Sequence, residues 1–192
     1  RTRGWLTTLR DVTQRERAAR IQSATYQISQ AAAQTENLPE LYQSIHATLG
    51  TLMPAQNLFI ALYDAAAGQL SFPYYVDEHD TPPPPQKLGR GLTEYVIRSC
   101  KTQWVHPEAF ERLVTAGEVE EIGAPSIDWL GAPLITQTRI IGVLAVQSYT
   151  PGVQFSEAER DILTFVSNQI SLAIERKQAE AEARSSKERQ HG

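Results

Sequence analysis

One cysteine, four histidines and a pair of closely spaced glycines are the residues with which this chain could do chemistry. Cys100 has no second thiol, so neither an internal disulfide nor a Cys-x-x-Cys redox or metal site can form. His46 falls within an apolar-striped segment, where it reads as a surface or core residue rather than a ligand. His79 and His106 lie in loop sequence, from which either could ligate haem iron or simply face solvent. Gly89 and Gly91 suggest a phosphate loop, but the third glycine of Gly-x-Gly-x-x-Gly is missing and no Gly-Lys-Ser/Thr follows. There is no His-Glu-x-x-His and no Gly-x-Ser-x-Gly nucleophile elbow. With no catalytic constellation, these residues read as a non-enzymatic module whose chemistry is binding.

Composition narrows the partners. A net charge of −4 and a pI near 5.6 leave no basic footprint for nucleic acid. The longest apolar run, Ile140 to Val146, is too short to span a bilayer, and no signal peptide is evident. Direct membrane insertion is therefore not expected, and the single cysteine points to a reducing, cytoplasmic location. Hydrophobic residues make up 41% of the chain, enough for a core. The chain starts at Arg1 rather than Met, which reads as a piece excised from something longer.

The elements that must position any site can be read from periodicity. In Ser126–Tyr149, Trp129, Gly131 and Pro133 alternate with Leu130, Ala132 and Leu134, as successive strand residues do. A short polar turn, Gln137-Thr138-Arg139, then leads into Ile140–Val146, apolar on both faces except at Gly142. NLFIALYD is an earlier strand, with Leu58, Ile60 and Leu62 on one face and Phe59, Ala61 and Tyr63 on the other. QLSFPYYVD returns beside it, and TPPPPQ breaks regular structure in an extended loop. Asn37 and Pro39 open a helix with a buried stripe of Leu41, Ile45, Leu49 and Leu52. Ser156 and Glu159 form a capping box at the start of the last helix.

WLGAPLITQTRIIGVLAVQS resembles the closing hairpin of a GAF domain. The resemblance extends back over NLFIALYD, GQLSF and LGRGLTEYVIRSCKTQWV, and forward over FSEAERDILTFVSNQISLAIE, covering about residues 38 to 175. It implies an α/β (α+β) fold: a central, mainly antiparallel sheet of about six strands, long terminal helices on one face, and a loop–helix pocket cover on the other. The cover would be residues 86–126. Phe59, Ala61, Tyr63, Leu92, Tyr95, Val96, Trp104, Phe110 and Trp129 are the pocket candidates. Trp129 should face the pocket, because Leu130, Ala132 and Leu134 match positions that pack beneath the helices.

The resemblance also frames the cofactor. A bilin would use Cys100, but no Cys-His pair or Asp-x-Cys-Phe is present. The Asn-Lys-Phe…Asp-Glu signature of cyclic-nucleotide-binding relatives is absent, and the family's methionine sulfoxide reductases need several cysteines. The expectation is no resident cofactor or metal, with the pocket either filled by its own aromatics or holding an unidentified small ligand.

Residues 14–36 read as a signalling helix. Gln14, Ala18, Ile21, Thr25, Ile28, Ala32 and Thr35 are spaced four and three apart, a heptad pattern. That pattern suits either a coiled coil or a helix packed on its own domain. Leu163, Val166, Ile170 and Ala173 repeat it near the other end. The dimer reading takes Ile21, Thr25, Ile28, Ala32 and these four as the seam of a parallel homodimer. RTRGWLTTLRDVT, residues 1–13, resembles the last strand of a PAS domain, with a leader segment as the alternative; residues 37–175 are the GAF domain and 176–192 a helical connector. The histidine box of a sensor kinase and the GGDEF motif are missing from these residues. The implied parent resembles PAS-GAF sensor histidine kinases or diguanylate cyclases, with flanking signalling domains in the same chain. The expected function is a regulatory or sensory module that binds a small ligand, or relays a change through dimeric helices to an output domain. The rival is a passive dimerisation spacer with no ligand.

Overall fold

The computed structural model describes residues 2–191, and side chains from residue 13 to 187 together with Arg189. Eleven elements follow in order: α1 (Thr2–Gln34), α2 (Leu38–Gly50), β1 (Asn57–Asp64), β2 (Gln69–Val76), β3 (Gln86–Lys87), α3 (Leu92–Ser99), β4 (Gln103–Val105), α4 (Pro107–Thr115), β5 (Asp128–Ile135), β6 (Ile140–Ser148) and α5 (Glu157–His191). The strands form one antiparallel sheet in the order β3-β2-β1-β6-β5-β4.

Strand alternation divides the interior into two cores. Leu58, Ile60, Leu130, Ala132, Leu134, Leu144 and Val146 face the helical layer of α1, α2 and α5. Phe59, Ala61, Trp129, Val143 and Ala145 face the other way, onto Val96 and Ile97 of α3. β5 and β6 are buried on both faces, which is why their sequence reads as continuous apolar runs.

Caps set the helix starts. The Asn37 side chain accepts a hydrogen bond from the Glu40 amide at 3.0 Å. At the start of α5 the Ser156 amide, at 2.8 Å, and the Ser156 hydroxyl both donate to Glu159 Oε2, and Ser156 Oγ accepts from the Ala158 amide at 3.1 Å.

The heptad stripes are spent inside one chain. Ile28, Leu163, Val166 and Ile170 are fully buried in the helix-side core, with Ala32 and Ala173 nearly so, while Ile21 packs against its margin. They meet the sheet and one another, so they form no seam available to a second chain. Three- and four-residue spacing is the same for a helix lying on its own sheet as for a coiled coil. Thr25 is half-buried beside them. α1 and α5 run side by side in the same direction, joined by Arg17 to Asp161, Gln169 to Ser29 at 3.0 Å, and Lys177 Nζ to the Thr35 carbonyl at 2.8 Å. Lys177 is 5% exposed and places its charge beside the carbonyl end of α1.

The N-terminal expectation changes. Residues 2–13, expected as a strand ending a preceding domain or as a leader, are helical and continue into α1. Arg1 lies outside the described residues.

Candidate functional site

A cavity of about 780 Å³ lies between the sheet and the segment that covers it. Its floor and inner wall are Phe59 of β1, Phe72 and Tyr75 of β2, and Trp129 of β5. α3 contributes Leu92, Thr93 and Glu94; Val105, His106, Phe110 and Glu111 close another side; residues 120–126 form the rim with Thr81 and Pro83. A second depression, about 640 Å³, opens between α1 and α2, but glutamines and threonines line much of it.

Trp129 lies flat on the floor because of its neighbour two residues on. A Cβ built on Gly131 would sit 2.2 Å from the Trp129 ring, so only glycine lets the indole lie along the sheet. Phe59, Phe72 and Tyr75 form a pairwise-contacting cluster. Phe59 and Tyr75 stack at 5.3 Å, and Phe72 meets their edges at 5.8 and 6.0 Å. Phe72 and Tyr75 share a face although three residues apart. Between Ile60 and Leu62 of β1, the β2 partner moves from Tyr74 to Ser71, so β2 carries an extra residue next to Pro73. That bulge re-aims Phe72 towards the pocket.

The rim is pinned by one carboxylate. Asp80 Oδ2 accepts the Ala124 amide at 2.9 Å, beside Gly123, whose φ of +80° is left-handed. A Cβ there would lie 2.7 Å from the same oxygen, so glycine meets both the backbone and the steric demand. Behind it, Asp77 accepts the His79 and Asp80 amides at 2.9 Å, the Gln147 side-chain amide at 2.5 Å and the Tyr149 hydroxyl at 3.1 Å. Burial first, then the charges of Asp77 and Asp80, push the Tyr75 phenol up to about 12. Burial and the Asp77 contact raise Tyr149 as well.

Asp128 joins the pocket floor to the helical layer. It opens β5 one residue before Trp129 and is 1% exposed. Its Oδ1 accepts the Trp104 indole N–H at 2.9 Å, and its Oδ2 accepts the Phe155 amide, just ahead of α5, at 2.7 Å. Burial raises its carboxyl above the ordinary aspartate value, while these donors and nearby His106 pull it back.

Of the residues expected around the pocket, Phe59, Leu92, Phe110 and Trp129 line the cavity. Ala61 and Val96 are buried in the core behind it, and Tyr63 packs at that core's margin. Tyr95 stands away from the cavity lining, with the Arg98 guanidinium 5.9 Å from its ring centroid. Trp104 is a correction. It pairs with Leu130 in register, whereas Val105 pairs with Trp129, so Trp104 points to the helix face and Val105 to the pocket. One residue of strand register decides the side.

The histidines and the cysteine have structural places. The Ala55 carbonyl can only accept, so His46 Nε2 donates to it at 2.6 Å, and Nδ1 accepts the Tyr74 hydroxyl at 2.8 Å. His106 Nδ1 caps α4 by accepting the Ala109 amide at 3.2 Å. The His79 ring stands edge-on to Tyr149 at 4.4 Å. Cys100 is exposed at the end of α3 with φ 51°. Among the described residues no cluster of three or more His, Cys, Asp or Glu could hold a metal ion, and no helix is long and apolar enough to cross a membrane.

The family model described as GAF domain matches residues 35–175. No curated protein matches the chain. Among solved structures, the GAF domain of a phosphoenolpyruvate-protein phosphotransferase from Coxiella burnetii aligns at TM-score 0.66 and 18% identity, over 86% of this chain and 98% of that one. A free methionine-R-sulfoxide reductase from Neisseria meningitidis, in complex with its substrate, aligns at 0.62 and 18%, over 83% and 90%. The phycocyanobilin-bound GAF domain of a cyanobacterial phytochrome aligns at 0.59 and 14%, over 83% and 96%. At these identities the likeness is one of fold.

Proposed function

The chain belongs to the GAF domain family, and from that premise we propose that it is a sensory or regulatory module that binds a small organic ligand between β1, β2, β5 and the cover. The observation that carries this reading is the 780 Å³ cavity, apolar on its sheet side and polar at its rim, a pattern that suits small-molecule sites. Its rim is tied down by the Ala124 amide to Asp80 and the Glu120 amide to the Arg90 carbonyl at 2.8 Å, and a guest would order the residues between them.

Transmission needs a guest that binds two states differently. Trp129 and Asp128 supply a short route. A guest pressing on the indole acts one residue from the carboxylate that holds the start of α5 and the Trp104 ring. α5 in turn carries α1 through Gln169 and Lys177. In this reading both helices are connectors to flanking signalling domains of a cytoplasmic sensor, of the histidine kinase or diguanylate cyclase type.

A ligand should slow amide hydrogen exchange in residues 86–126 and in the first turns of α5. Trp129→Ala should abolish both effects while unfolding stays cooperative, at a cost of about 3 kcal/mol for the lost ring. If no small-molecule library protects the cover, and Trp129→Ala merely melts the fold, the rings are core filler and the passive spacer reading takes over.

We further propose that the module pairs with a second copy through the outside of the helical layer. Tyr26 and Phe165 are 62% and 60% exposed there, and Leu172 45%. Phe165→Glu should shift sedimentation from dimer to monomer at tens of micromolar protein, a concentration at which wild type would be dimeric if its Kd is about 10 µM or tighter. A monomeric wild type at that concentration removes this part of the proposal.

A further inference from the structure

The cavity has a charge as well as a shape. Five carboxylates line it: Asp80, Glu94, Glu111, Glu120 and Glu121. No lysine or arginine lines it. Arg90 stands at the rim, its Nε 3.9 Å from Glu120 with both side chains more than half exposed, and Glu111 and Glu121 are exposed as well. Asp80 already holds the Ala124 amide. Glu94, Glu111 and Glu121 form no ion pair among the described residues.

Glu94 is the telling one. It is 4% exposed, in the first turn of α3, and its carboxylate folds back on its own helix start. Oε1 accepts the Gly89 amide at 3.1 Å, and a Cβ on Gly91 would lie 2.8 Å from Oε2. A helix start is where a phosphate would seat, through free amides and the positive end of the helix dipole. Here a carboxylate of the protein itself occupies that seat. An anionic guest would meet Glu94 and find no arginine or lysine among the lining residues to offset it.

Aromatic rings line the same cavity: Phe59, Phe72 and Tyr75 in mutual contact, with Trp129 on the floor and Phe110 from α4. Aromatic rings attract a cation through their negative faces, and more strongly when water is excluded. The aromatic cluster is an observation separate from the acidic lining, and both favour the same sign of guest.

We propose that this pocket selects an organic cation, a quaternary ammonium or protonated amine whose apolar part lies against the Phe59–Tyr75–Trp129 wall and whose charge faces Glu94 and Glu121. The inference rests on the ligand-binding reading above and gives it a chemical class. It also sets this pocket apart from one built for nucleotides or other phosphates.

The test uses the whole chain and three probes of one size: benzyltrimethylammonium, its neutral carbon isostere neopentylbenzene, and benzylphosphonate. Binding is read by NMR titration and by hydrogen exchange in residues 86–126. The cation should bind about tenfold more tightly than the neutral isostere, a difference within reach of a cation–aromatic site beside the buried Glu94 carboxylate. The phosphonate should bind more weakly than either. Glu94→Gln and Glu121→Gln should each weaken the cation by a factor of about three or more and leave the neutral isostere unchanged, a split that a folding defect cannot produce. If the isostere or the phosphonate binds as tightly as the cation, the cation inference falls while the ligand pocket stands. If none of the three protects the cover, the cation inference falls, and the ligand reading is decided by the library screen and the Trp129→Ala variant.

Discussion

Gly142→Ala should cost about 3 kcal/mol or more, a large fraction of the roughly 5–15 kcal/mol that holds a domain folded. Gly142 sits in the middle of the sheet, paired with Leu62 on one side and Leu134 on the other. A methyl group there would lie 2.0 Å from the Ala61 carbonyl oxygen and 3.1 Å from both the Ala61 carbonyl carbon and Leu62 Cα. Those atoms are backbone, so no rotamer change relieves the clash; β1 would have to move away from β6. The β2 bulge faces the same stretch of β1, so its backbone is already committed on the other edge. Urea denaturation should show a lowered midpoint. Gly50→Ala, at a helix end with no atom within 4 Å of the new Cβ, is the control and should change stability by less than about 0.5 kcal/mol. A Gly142→Ala midpoint equal to that control would mean that β1 and β6 are not so closely apposed.

Asp128→Ala should be nearly as damaging, by about 3 kcal/mol, because it strands the buried Phe155 amide and the part-buried Trp104 indole N–H. Asp128→Asn should fall between, since an amide oxygen can satisfy one donor while its NH₂ confronts the other. Trp104→Phe removes one donor and should lose less than Asp128→Ala. The decisive comparison is local. In Asp128→Asn, hydrogen exchange at the start of α5 should quicken more than exchange in α2, which this carboxylate does not touch. Equal changes in both helices would make Asp128 a general stabiliser with no special hold on α5.

The fold was legible wherever one physical rule acted alone. Period-two alternation placed Phe59 and Trp129 on one face and Leu58, Ile60 and Leu130 on the other, and the structure keeps that division. Asn37 and the Ser156–Glu159 pair announced two helix starts by their own hydrogen-bonding chemistry. The site was less legible because several of its residues depend on breaks in those rules. Phe72 faces the pocket only because a bulge beside Pro73 resets the alternation of β2. Trp104 and Val105 were read as part of the cover, but β4 joins the sheet edge, and pairing sends the larger ring away from the pocket. Glu94, Asp80 and Glu121 come together from a helix and two loops, and no spacing in the chain records that. The heptad stripes show the opposite limit: their period was read correctly, but period alone does not say whether a sheet or a second helix lies opposite.

β1 owes its place to β6, which lies far along the chain. Asn57 and Gln147, 90 positions apart, meet across that pairing, and β1 has β2 on its other edge. During synthesis the hairpin of β1 and β2 must therefore wait, one long apolar edge bare, until β6 has emerged from the ribosome. Pairings at such separation form slowly, and an edge left open is a template for the wrong strand. Ribosome pausing before residue 148 should thus be the most aggregation-prone moment in the life of this domain, and a chaperone that shields β1 should raise its yield more than any gain in final stability.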